Sequence, residues 1–397
     1  MSDSGSGDDP FPDPFQGMPI FGDLAKMFQQ QGTMSWDAAR QFALSIATGG
    51  TPEGNVDPLE RIRIEQLARV AELQIANATG LDPAPGGRGL SIVPVSRGVW
   101  TQRTLDAYRP LFEILADSLS AQPGEELAPE PGDPLAFMAP LMKMIGPMML
   151  GLTAGSMVGH LAQRSFGPYD LPIPRPGGDE LLLIVGNLDE FGSEWSLPPD
   201  DLRLWVCLHE AAHHAVLSMP HVRARLDELL RGYLTGFEAD PGRLENELGG
   251  IEDLELSGPE AFQQLLGNPE VVLGAIQSPG QKALLPHLEG LVAVIVGYVD
   301  HVMDNVGGGL LSGYGMITEA VRRRRVEAAS SDHFVERLFG LELTQAAYDR
   351  GRSFVDGVNE RAGAAGVARL WRSPAELPTP AEVDAPGLWL ARIDLPD

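Results

Sequence analysis

Apolar positions recur at helical spacing along most of this chain, and only one stretch collapses into the short continuous run expected of a buried strand. Residues 36–47 and 57–78 read as helices. The second is capped by Asp57 with Pro58 at its first position, and Leu59, Ile62, Leu67, Val70 and Leu73 fall mostly on one side. A third helix over 101–120 aligns Leu105, Tyr108, Leu111, Phe112 and Leu115. Later, 283–306 reads as a long apolar helix, 316–329 as a helix carrying Arg322 to Arg325, and 331–362 as two shorter helices around 340–344. The strand is 180–186, Glu-Leu-Leu-Leu-Ile-Val-Gly, reached along an extended path that Pro168, Pro172, Pro174 and Pro176 impose. Ser196, Pro198, Asp200 and Asp201 then supply a hydroxyl, an early proline and first-turn carboxylates, the signals of a helix start, and Pro220 sets its end near Met219.

This pattern makes the fold class mainly α with a small β-sheet. It divides the chain into a disordered acidic tail (1–17), a helical N-terminal region (18–134) with an apolar helical face at Phe21, Leu24, Ala25 and Phe28, a core (135–310), and a helical C-terminal region with a Pro-rich tail (311–397). The acidic, Pro-rich linker 121–134 is the candidate boundary, and Trp389 and Leu390 are expected to strap the tail to the surface. No repeat of twenty to fifty residues is visible, so a solenoid or propeller is not suggested.

Between Lys143 and Arg164 the chain has no acidic or basic residue except His160, and Gly151, Gly155 and Gly159 recur at i, i+4. That is the small-residue pattern of closely packed membrane helices. Pro140 and Pro147 interrupt the run and there is no aromatic belt, so a buried helix pair is expected and a membrane span is not. The six of thirteen methionines between 137 and 161 are expected to fill irregular gaps in a core.

Charge narrows the partners. With 29 Lys and Arg against 55 Asp and Glu, the net charge of -26 repels phosphate backbones, so no nucleic acid partner is expected. The single cysteine, Cys207, and an N-terminus with neither a basic nor an apolar segment point to the cytoplasm. The oligomeric state stays open.

The chemistry concentrates in residues 205–217, which contain His209-Glu210-Ala211-Ala212-His213. Imidazoles at i and i+4 share one helix face and can bind one metal ion, with zinc the suited choice and Glu210 placed as general base toward an activated water. Leu202, Val206, His209, His213 and Val216 form one stripe, so both histidines belong to the apolar face and need a common partner there. Cys207 points away from that face; His214 and His221 are expected on the solvent side or paired with acids.

The motif, the Leu-Leu-Leu-Ile-Val-Gly-Asn strand before it, the Arg322 to Arg325 run and the Pro380-Ala381-Glu382-Val383-Asp384 segment together resemble the zinicin-like metallopeptidases of actinobacteria. Some relatives are associated with biosynthesis of a deazaflavin coenzyme. The resemblance spans roughly residue 15 to the C-terminus and implies a zincin-like core with helical additions, a Zn2+ ion, and hydrolysis of a peptide or a small amide or ester. In gluzincins a later helix supplies Glu-x-x-x-Asp; the matching stretch here has Val296 at the Glu position and Asp300 at the Asp position. Asp300 is the preferred third ligand, since a carboxylate on an apolar helix needs a charged or metal partner. A role as acceptor for His209 or His213 is the other reading of Asp300, and His301 and Asp304 are the alternative ligands. The four arginines are expected to form internal ion pairs, and Tyr298 and Tyr314 are candidate oxyanion donors. The competing class is a zincin-like structural or interaction protein without catalysis.

Overall fold

The computed structural model describes residues 34–120, 134–176, 178–237, 278–327, 336, 338–341 and 343–395. The predicted tail 1–17, the apolar face at 21–28 and the linker up to 133 lie outside these residues. Helices α1 (Trp36–Thr48) and α2 (Pro58–Thr79) come first, then strand β1 (Ser91–Val95) and helices α3 (Arg97–Ser120) and α4 (Pro134–Arg164). Strand β2 (Glu180–Ile184) leads directly into α5 (Val185–Glu194), α6 (Pro199–Leu217) and α7 (Pro220–Thr235). After these come α8 (Pro279–Leu310), α9 (Tyr314–Glu327), α10 (Gln345–Ala368), α11 (Pro380–Val383) and α12 (Pro386–Ile393). One apolar core runs from Met34 to Trp389.

The expected strand is present, and its partner is one the hydrophobic pattern did not single out. β1 pairs with β2 in parallel, Ser91 opposite Glu180 and Val95 opposite Ile184. Pro94 weakens β1 as a strand signal, but in a two-stranded sheet each strand has a free edge on which a missing N–H costs nothing. β2 ends two residues earlier than its apolar run suggested, because Val185 and Gly186 already belong to α5.

The glycine run of α4 packs as a helix pair. A β-carbon on Gly151 would come within 2.3 Å of the Ser35 carbonyl oxygen, and one on Gly155 within 2.5 Å of the Ala39 oxygen. α1 meets this stripe with the buried Ala39, Ala43 and Ala47, so backbone touches backbone across the pair. Pro140 and Pro147 do not interrupt α4, contrary to expectation. Met157 is buried in the core as expected, while Met148 is exposed.

Among the described residues one helix, α8, is long and apolar enough to cross a membrane, and most of its apolar stretch is buried. Its middle, Gly290 to Val299, is entirely buried. α10 crosses α8 where small residues meet: a β-carbon on Gly351 would fall 1.7 Å from the Ala293 carbonyl oxygen.

α2 departs from its predicted orientation. Asp57 caps it as expected, accepting the Leu59 N–H at 2.9 Å. The buried face, however, is Ile64, Ala68, Ala71 and Ile75, and Leu59, Ile62, Val70 and Leu73 are exposed. Small alanines allow close packing on α6, a gain that counting large apolar side chains does not register. Arg203 of α6 fixes the contact, donating to Glu60 at 2.5 Å and to Asp189 of α5 at 2.6 Å.

α6 lies at the centre and is buried from Trp205 to Leu217. Pro199, Asp200 and Asp201 open it, and Asp201 also accepts from the Ser312 hydroxyl and the Gly313 N–H, at 2.6 and 2.7 Å, tying it to the turn between α8 and α9. At the C-terminus Trp389 is fully buried and its indole N–H donates to the Glu376 carbonyl at 2.6 Å, the strap expected from the sequence.

Candidate active site

His209, Glu210 and His213 are all buried on α6, the two histidines in the stripe that the periodicity predicts. The two imidazoles lie with ring centroids 4.4 Å apart. His213 Nδ1–H donates to the His209 carbonyl at 3.1 Å, which fixes its tautomer and leaves Nε2 with a lone pair. That Nε2 is buried and has no hydrogen-bond partner within the protein. A lone pair left dry and unpaired costs stability unless something binds it, and a metal ion suits it. Burial, with the Arg325 charge adding to it, pushes the His209 pKa down to about 4, and burial followed by His209 itself pushes His213 well below the ordinary range. Both rings are therefore neutral at pH 7, the state in which imidazole is a ligand.

Glu210 is 1% exposed. Its Oε2 accepts the Tyr169 N–H at 3.0 Å, and Oε1 lies 3.4 Å from His209 Nδ1. Burial raises its pKa well above the ordinary carboxyl value and the Asp170 charge adds to this, while the Tyr169 N–H and Arg175 pull the other way. Raising its pKa makes the ionised form of this carboxyl a stronger base than an ordinary surface carboxylate. Gly167 makes room for it, since a β-carbon there would lie 2.5 Å from the Glu210 carboxyl carbon.

The segment 166–175 closes over α6, and three anchors hold it. The Asp170 carboxylate accepts the Phe166 and Gly167 N–H groups at 2.6 and 3.0 Å and receives Arg324 of α9 at 2.8 Å. Arg175 reaches back to Thr104 and Tyr108 of α3 at 3.0 and 3.1 Å. Tyr169 stacks on His213 and donates its hydroxyl proton to His214 Nδ1 at 2.7 Å, while His214 Nε2 lies 3.3 Å from Asp179 Oδ1. His214 thus pairs with an acid as one of its two expectations held, yet it is buried. Tyr169 and Asp170 were not singled out in the sequence as site residues; the proline run around them was the available signal.

A cavity of about 330 Å³ opens beside these groups, bordered by His209, Glu210, Trp205, Asp170, Arg324 and Arg325 among others. Trp205 stacks on His209 with ring centroids 5.0 Å apart. The arginines form ion pairs as expected: Arg324 with Asp170, Arg325 with Asp300, and Arg322 and Arg323 with Glu319. Cys207 is fully buried and burial raises its thiol pKa, so it stays protonated.

The remaining expected groups are engaged elsewhere. Asp300 receives both terminal nitrogens of Arg325, at 3.2 and 3.3 Å. His301 faces Asp356 at 3.5 Å, and Asp304 accepts from Tyr314 and Arg352, each at 2.6 Å. Tyr298 packs edge-on against Trp371, and Val296 is buried among apolar residues. Among the described residues no three His, Cys, Asp or Glu side chains come together as a metal-holding group.

A family model described as zincin-like metallopeptidase matches residues 34–390. The chain belongs to this family. Zincin-like membership implies a metal cofactor and a hydrolase, and two neutral imidazoles on α6, His209 beside the cavity and His213 with an unpartnered Nε2, fit a metal on chemical grounds. The fold is similar to that of a crystal structure from Chloroflexus aurantiacus described as a candidate hydrolase with a novel fold. The two are 24% identical with a TM-score of 0.62, over 92% of this chain and 100% of the other. No curated protein matches the sequence.

Proposed function

We propose that this zincin-like protein is a zinc-dependent hydrolase acting on a peptide or a small amide or ester, with His209 and His213 as metal ligands, Asp300 as third ligand and Glu210 as general base. The observation that carries the reading is the orphaned Nε2 of His213, a buried lone pair beside a second neutral imidazole and a carboxyl of raised pKa. Zinc, if held by His209 and His213, would supply a Lewis acid for the scissile carbonyl and would lower the pKa of a bound water. Glu210 takes the water's proton on its carboxylate and later returns it to the leaving group. The Tyr169 N–H steadies that carboxylate, and Gly167 lets the backbone approach it. Segment 166–175 and Trp205 keep bulk water from this side of α6, which strengthens each electrostatic contact within. Association with a deazaflavin pathway and a cytoplasmic location belong to the same reading.

The Asp300–Arg325 pair favours a second reading, a zincin-like scaffold without turnover, because it occupies the carboxylate a third ligand would need. Glu210→Gln separates the two. On a library of short peptides and aryl esters, wild type turns over and the variant does not while keeping its zinc; equal turnover in both proteins rejects Glu210 as the base.

A further inference from the structure

Helix α2 turns its larger apolar side chains away from the protein. It packs on α6, α8 and β1, and its buried face is Ile64, Ala68, Ala71 and Ile75. The opposite face carries Leu59, Ile62, Val70 and Leu73, which are 38% to 72% exposed and make up four of the eleven exposed large apolar side chains among the described residues. Single exposed apolar residues are ordinary, whereas four on one helix face mark a contact surface.

This stripe is symmetric about its own centre. Leu59 and Leu73 lie seven residues before and after Gln66, and Ile62 and Val70 lie four before and after it. At about 100° per residue all five fall within about 40° of one another's mean direction. Such a stripe is self-complementary under a twofold axis: in an antiparallel pair of α2 helices Leu59 enters the layer of the copy's Leu73, Ile62 that of Val70, and Gln66 meets Gln66. The Gln66 amide carries a donor and an acceptor, so two copies satisfy each other. Charge favours the same partner. The net charge of -26 repels a second copy over most of the surface, so association requires an attraction local to the contact. Glu65 and Arg69 flank the stripe on one side, both exposed and neither bonded to another described residue. In antiparallel register Glu65 falls two residues, about 3 Å along the axis, from Arg69 of the copy, which gives two opposite-charge pairs related by the axis.

We propose that α2 is the contact surface of a symmetric dimer of this chain, two copies packing antiparallel with Gln66 on the twofold axis. A second copy supplies both the matching stripe and the complementary charges. The inference is independent of the zinc reading.

The test is sedimentation equilibrium of the 397-residue chain at about 1–100 µM, the range suited to an interface smaller than a permanent one. Wild type is expected to approach twice the monomer mass. Ile62→Glu and Leu73→Glu should each weaken association by about tenfold or more, because each change enters a symmetric contact twice. Both positions are exposed, so the variants keep the fold, which circular dichroism verifies. Glu65→Arg and Arg69→Glu should each weaken the dimer, and the double exchange should restore it. Orientation is read by mild oxidation: Gln66→Cys should crosslink to its copy, while Leu59→Cys, about 21 Å from its copy along the axis, should not. Cys207 is buried and does not compete. A monomeric wild type throughout the range overturns the proposal, as does a dimer indifferent to Ile62→Glu and Leu73→Glu. Crosslinking of Leu59→Cys as readily as Gln66→Cys, or no recovery in the double exchange, overturns the antiparallel register.

Discussion

Two buried glutamates in this molecule behave in opposite ways. Glu382 is 7% exposed and accepts two bonds from Arg392, at 2.6 and 3.0 Å, and the Thr379 N–H at 2.8 Å. Burial alone would raise its pKa, but the guanidinium and the N–H outweigh it and hold the carboxyl below its ordinary value. Glu210 is 1% exposed, accepts the Tyr169 N–H and lies beside a neutral His209 ring, with no arginine or lysine bonded to it among the described residues, and its pKa goes up. Glu382 belongs to the C-terminal strap, where each acid has an arginine: Glu376 accepts from Arg369 and Arg372, and Asp384 from Arg350. The contrast teaches that this sequence has arginines available for buried acids and places none in contact with Glu210. A buried acid without a counter-charge is costly for folding, and under the proposed function that cost serves proton transfer.

The largest expected effect breaks the comparison outright. Glu210→Gln should lower turnover by about 100-fold or more, the scale of a lost general base, with no loss of stability in thermal unfolding. Glu382→Gln should do the reverse, costing about 1 to 2 kcal/mol in denaturant unfolding with turnover unchanged, Arg392 being 36% exposed and the pair screened accordingly.

Acid titration of chelator-stripped protein sharpens the contrast through the sign of its slope. Folded Glu210 keeps its proton above pH 4.5, where the unfolded chain releases it, so this residue makes stability fall as pH rises above that value. Glu382 has a lowered pKa, so its contribution is present above pH 4.5 and is lost as pH falls through its folded value. His209 adds to the acid-side loss: the unfolded ring binds a proton below 6.5 and the folded one only near 4. That difference removes about 3 kcal/mol as pH falls through this window, at about 1.4 kcal/mol per unit. Glu210→Gln should flatten the alkaline-side decline and Glu382→Gln part of the acid-side one, read from unfolding curves between pH 4 and 8. A decline unaffected by Glu210→Gln would contradict a raised pKa at that residue. The smallest effect belongs to Tyr169→Phe, which removes the hydroxyl bonded to His214 but keeps the ring on His213 and the N–H on Glu210. It should cost about 1 kcal/mol in thermal unfolding and leave zinc affinity within twofold.

The histidine face was legible in the sequence because α6 is regular and its stripe carries His209 and His213 in phase with Leu202, Val206 and Val216. The close helix pair was legible for a related reason, since glycines four residues apart have one packing use. The orientation of α2 was not, because alanines carry little hydrophobic signal while Leu59 and Leu73 carry much and face outward. Tyr169 and Asp170 were hidden in an irregular segment with no period to betray its inward side. Asp300 stood out by its place on an apolar helix as a group in need of a partner, but the partner present, Arg325, lies twenty-five residues on, and pairing across two helices leaves no spacing rule.

The central claim is that His209 and His213 bind a metal ion together, and metal content tests it most directly. Elemental analysis of protein purified without added metal should find about one zinc per chain in wild type and none in His213→Ala, by the one-ion sharing of an i, i+4 histidine pair. Equal zinc in both proteins, or none in wild type, would contradict the account.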